Sequence, residues 1–117
     1  MNEELFKGRT KRLALGIIEL VESLPRSPTA DVIGRQLLRC GTSVGATYRA
    51  ACRGKSKADV ISKLAIVEEE ADETSYWMEL LVESQIVQPS RVTELLRETN
   101  EIIAMTVASI RTLREQK

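Results

Sequence analysis

Histidine is absent from the 117 residues, and that single absence removes Ser-His-Asp and Cys-His nucleophilic catalysis together with most zinc sites. Acid-base chemistry would have to rest on carboxylates, lysine or tyrosine. Cysteine is nearly absent too. If Cys40 and Cys52 share a helix, their twelve-residue separation spans roughly 18 Å at 1.5 Å per residue, far beyond disulfide reach. Neither has a Cys or His at ligand spacing, so both read as small buried hydrophobes. No apolar run approaches the roughly 18 to 20 residues of a membrane span. The opening Met-Asn-Glu-Glu lacks a basic region followed by an apolar one, so no signal peptide is expected and the expected location is the cytoplasm. Strand-like alternation, internal repeats and low-complexity tracts are also missing.

Net charge is zero as well, but the balance conceals two unlike halves. Residues 1–57 carry 11 Lys/Arg against 5 Asp/Glu, a net +6, and residues 58–117 carry 6 against 12, a net −6. Such bipolarity suits basic helices packing beside acidic ones. It argues against the uniformly basic surface of a sequence-independent nucleic-acid binder. The 43% hydrophobic and 29% charged composition is that of a soluble helical or globular protein, and the length suits one domain, residues 1–117, burying roughly two thirds of its unfolded surface.

Four helices are expected. In the first, about Glu3 to Ser23, Phe6, Leu13, Ile17, Leu20, Val21 and Leu24 recur at helical spacing until Pro25 ends the run. Ser27 then offers an N-cap oxygen with Pro28 at the first helical position. The second helix runs to about Arg53. Ile33, Leu37, Cys40, Val44, Tyr48 and Ala51 share one side of it, while Arg35, Arg39, Arg49 and Arg53 gather opposite, around Thr42 and Ala46. Gly41 and Gly45 each cost roughly 1 kcal/mol against Ala in an exposed helix; close approach of another helix is the expected compensation. Gly54 reads as a left-handed residue closing this helix, and Ser56-Lys57-Ala58-Asp59 as a capping-box-like start to the third. The third helix carries Val60, Ile61, Leu64, Val67, Ala71, Ser75, Met78 and Val82 as one stripe and fades at Ser84-Gln85. Pro89-Ser90 reopens the chain, and Val92, Leu95, Leu96, Thr99, Ile102, Ile103, Thr106, Ile110 and Leu113 repeat to the end. Connections of a few residues favour an antiparallel up-down-up-down four-helix bundle, all-α.

The second and third helices resemble those of the bacterial four-helix-bundle proteins related to 23S rRNA intervening sequences, also labelled S23 ribosomal proteins. The resemblance is carried by the segment Leu37 to Arg49, then Ser56-Lys57-Ala58-Asp59, Lys63-Leu64, and the segment Val67 to Leu81. Thr47 stands where that family commonly has Asn, and Ala50 where it commonly has an acidic residue. The resemblance implies a compact bundle assembling into a ring-shaped homo-oligomer, typically a pentamer, with no assigned enzymatic activity. A related bundle that accompanies diversity-generating reverse transcriptases implies a further use, binding RNA and a polymerase through a basic surface.

Two chemical readings of the residues fall away. The acidic run Glu68, Glu69, Glu70, Asp72, Glu73 invites a di-metal site, but ferritin-like centres need Glu-x-x-His pairs. Gly54-Lys55-Ser56 resembles the end of a phosphate-binding loop, yet the first glycine of that motif would fall on Arg49 and no strand precedes it. No enzyme activity, cofactor, metal or small-molecule substrate is expected. What remains is surface. Arg35, Arg39, Arg49 and Arg53, with Lys7, Arg9, Lys11 and Arg12, are the candidate residues for RNA or DNA binding. Ile66, Glu69, Glu73, Trp77 and Leu80 on a second side of the third helix are the candidate oligomer interface, because a monomeric bundle needs only one buried stripe per helix. Basic first or second helices meeting acidic third helices head to tail could close into a ring.

Overall fold

The computed structural model describes residues 2–116, and among them there is no strand. Four helices, α1 Glu3–Glu22, α2 Pro28–Cys52, α3 Lys57–Glu83 and α4 Thr93–Glu115, form a four-helix bundle, with a 3-10 turn at Pro89–Arg91 ahead of α4. Each helix packs on the next in sequence, and α1 meets α4 through a thinner contact. The bundle measures 50 × 21 × 20 Å. None of its helices is long and apolar enough to cross a membrane, among the described residues.

The helix starts follow from side-chain oxygens. Asn2, Ser27 and Ser56 accept the backbone N–H of Leu5, Ala30 and Asp59 at 2.9, 3.1 and 3.0 Å, each satisfying one donor that the first turn leaves unpaired. The Asp59 carboxylate reaches back as the capping-box pattern requires, but it accepts from Lys55 N–H, at 2.9 Å, rather than from Ser56.

The two helix endings depart from expectation in opposite ways. Gly54 is not left-handed, since no glycine has positive φ. It is glycine for want of space: a Cβ there would lie 2.4 Å from Val60 Cγ2 and 3.1 Å from Ala51 O. The left-handed residue is instead Gln85, φ 65°, at the end of α3. There Gln85 N–H donates to Val82 O and Ile86 N–H to Leu81 O, both at 2.9 Å. That pair of bonds is a Schellman closure, with Ile86 half-buried against the core.

Phe6, Leu13, Ile17, Leu37, Val44, Val67, Met78, Leu81 and Ile102 are at most 1% exposed and draw all four helices around one apolar cluster. Phe6 and Tyr48 pack their rings 4.4 Å apart. The paired glycines of α2 do bring α1 close. A Cβ at Gly41 would stand 3.0–3.3 Å from three carbons of Ile17, and one at Gly45 would stand 3.0 Å from Thr10 Oγ1. Four buried threonines, Thr10, Thr74, Thr99 and Thr106, spend their hydroxyls on carbonyls one turn earlier. Ser75 Oγ is buried with no hydrogen-bond partner among the described residues.

Candidate functional site

The arginines of α2 are all exposed, as their spacing predicts, but they do not form one free stripe. Arg39 donates to Glu70 Oε2 at 3.2 Å and to Glu73 Oε1 at 2.5 Å, both on α3. Hydrogen bonding to Glu73 holds the guanidinium firmly charged, and the same bond holds the Glu73 carboxyl below the usual carboxylate range. Trp77 Nε1 donates to that carboxylate at 3.2 Å. Arg39 and Glu73 therefore tie α2 to α3 within one chain. Arg35, Arg49 and Arg53 make no ion pair among the described residues.

The basic residues of α1 divide in the same way. Arg9 is turned inward, 19% exposed, with Nε on Glu98 Oε1 at 2.7 Å, Nη2 on Glu98 Oε2 at 3.0 Å and on Glu101 Oε1 at 3.2 Å. It joins α1 to α4 and is not available to a polyanion. Lys7 is paired along its own helix with Glu3, at 3.1 Å, and Glu4. Lys11 and Arg12 are exposed.

Lys7, Lys11 and Arg49 edge an open groove between α1 and α2 of about 540 Å³, with Gly8, Ala14, Thr42, Gly45 and Ala46 among its lining residues. The groove exists because glycines hold the two helices together and small residues line the seam. Farther along the same two helices, Leu15, Ile18 and Leu38 are 58, 39 and 37% exposed. Sequence reasoning missed these three. The signal was present, since at 100° per residue Leu15 and Ile18 lie with Gly8 and Lys11, opposite Phe6, Leu13 and Ile17.

The outer side of α3 is the acidic counterpart. Glu69, Asp72, Tyr76, Glu79 and Glu83 are exposed on it, with Ile66 at its edge. Trp77 and Leu80 are not laid bare beside them, because both sit half-buried against the chain's own core. A helix packed between two neighbours buries more than one stripe. The exposed apolar groups of this side are thus Ile66, 43% exposed, and Tyr76, 52% exposed, whose ring meets Trp77 edge-on at 5.2 Å. Among the described residues the acidic run assembles no group of three or more metal-ligating side chains.

Four helices packed through glycine seams, with charged outer faces, define a helical-bundle protein. The chain belongs to the family described as 23S rRNA-intervening sequence protein, whose sequence profile matches residues 6–108. Among solved structures it is similar to a protein of unknown function of the S23 ribosomal protein family from Bacteroides thetaiotaomicron VPI-5482. The two are 32% identical and superpose with a TM-score of 0.87, over 95% of this chain and 99% of that one. No curated protein matches the sequence.

Proposed function

We propose that this protein is a non-enzymatic interaction protein that works as a homo-oligomer in the bacterial cytoplasm. Its helices run up-down-up-down, an arrangement supported by the seam in which Thr10 and Ile17 of α1 meet Gly45 and Gly41 of α2 in reverse order. The observation that carries the reading is the pair of separate, partly apolar faces of opposite charge, one on α1 and α2 and one on α3. Ring closure and a count of five subunits rest on the family resemblance. Light scattering at micromolar concentration tests the reading. Wild type should have several times the mass of one chain, and Ile66→Asp should lower that mass with helical circular dichroism intact. A wild type of one-chain mass refutes it.

A second reading, an accessory factor binding RNA or DNA, is favoured by one observation: Lys11, Arg35, Arg49 and Arg53 have no intrachain ion pair among the described residues. A binder using them would leave a polyanion column with a steep salt dependence, and Arg49→Glu with Arg53→Glu would abolish its retention.

A further inference from the structure

We propose that the groove between α1 and α2 is the seat for the α3 face of a second copy of this chain. The inference rests on the oligomeric reading and says which surfaces meet. On this side of α1 and α2, Lys11 and Arg49 line the groove, and Arg35 lies farther along with exposed Leu15, Ile18 and Leu38. The α3 side presents Glu69 and Asp72 between Ile66 and Tyr76, all four on one side of the helix at 100° per residue. Apolar groups on both sides bury each other while charges of opposite sign flank them. The two faces share no residue, so one copy can use both at once.

Charge also excludes the simpler pairings. Two α3 faces brought together would oppose Glu69 and Asp72 to their own copies, and two groove faces would oppose Arg35 and Arg49 to theirs; like charges across an interface cost several kcal/mol. The contact is therefore heterologous, groove to α3, and repeats from copy to copy. Leu15, Ile18 and Leu38 favour a protein occupant over a phosphate backbone, which would leave them uncovered.

Two full-length variants test this. The groove variant carries Leu15→Asp and Arg49→Glu; the α3 variant carries Ile66→Asp and Tyr76→Asp. All four positions are exposed, and circular dichroism checks that each variant is folded. Light scattering should find wild type oligomeric and each variant alone at the mass of one chain. An equimolar mixture should have the mass of two chains and go no further, because one intact α3 face meets one intact groove while the remaining faces are blocked. If both variants stay as large as wild type, the oligomer stands and this contact is overturned. If each variant is monomeric but the mixture does not pair, the contact is not groove to α3. If the groove variant keeps its mass but loses retention on a polyanion column at physiological salt, the groove is a nucleic-acid site. A monomeric wild type removes the oligomeric reading, and this inference with it.

Discussion

Replacing Arg9 by alanine should cost about 2 kcal/mol, although a basic residue near the start of an amphipathic helix would ordinarily be expendable. The value follows from where the side chain sits. Exposed ion pairs contribute about 0–1 kcal/mol, whereas breaking a fully buried pair costs about 3–5 kcal/mol because the surviving charge is stranded. Arg9 and Glu98 are 19 and 24% exposed, joined by two parallel bonds, with Glu101 adding a third, which places the cost between those limits. The effect is large for one residue because α1 meets α4 more thinly than it meets α2. At roughly 4 °C per kcal/mol for a chain of this size, Tm should fall by about 8 °C. Arg9→Lys should recover only part of this, since an ammonium cannot make the two-pronged bond. Acid provides an independent check. The bond from Arg9 holds Glu98 below the usual carboxylate range, against the opposing effect of burial. A carboxylate depressed in this way contributes stability that is complete above its unfolded value of about 4.3. The contribution is lost as pH falls through the lower, folded value. Wild type should therefore lose stability more steeply below about pH 4 than Arg9→Ala does. Urea denaturation at fixed protein concentration, needed because assembly feeds into apparent stability, measures both. A loss under about 0.5 kcal/mol at pH 7, or identical acid limbs, would refute the reasoning.

Substitutions at three further positions probe the backbone and the core. Gly54→Ala and Gly54→Asn should both destabilise by about 1–3 kcal/mol in thermal melts, because the obstacle is Val60 and the Ala51 carbonyl and not the sign of φ; if Asn is tolerated, the steric account fails. Gln85→Gly should stabilise by about 0.5–1 kcal/mol in urea, since it places glycine at the left-handed position of the Schellman closure, and a loss of stability would show that the Gln85 side chain has a role. Ser75→Ala should be neutral or stabilise by up to about 1 kcal/mol, as it removes a buried hydroxyl without a partner; a loss above about 1 kcal/mol would mean that the hydroxyl is bonded.

Much of the fold was legible because its signals are local. Ser27 with Pro28 and Ser56 with Asp59 mark helix starts through bonds spanning three or four residues, and the stripe from Ile33 to Ala51 follows from helical period alone. Gly41 and Gly45 announced a close approach, though not that Ile17 and Thr10 would fill it. What stayed hidden depends on contacts far apart in sequence or on a conformation that the residue type does not favour. Nothing near Arg9 reveals that its partner lies 89 residues away. The left-handed position was sought at glycine and fell on Gln85. Trp77 and Leu80 were expected on an open second side of α3, but the helix is covered by neighbours on two sides and buries part of both. On the surface, Arg49 and the acidity of α3 were read from composition, whereas the groove and its apolar extension at Leu15, Ile18 and Leu38 appear only once α1 and α2 are placed side by side.

Native mass spectrometry of the wild-type chain tests the central claim most directly, because it counts subunits. A heterologous contact that closes should give one dominant stoichiometry, five copies by the family resemblance, with little of any other species. A spectrum containing only single chains of 13.1 kDa, at concentrations where light scattering is also performed, would contradict the account.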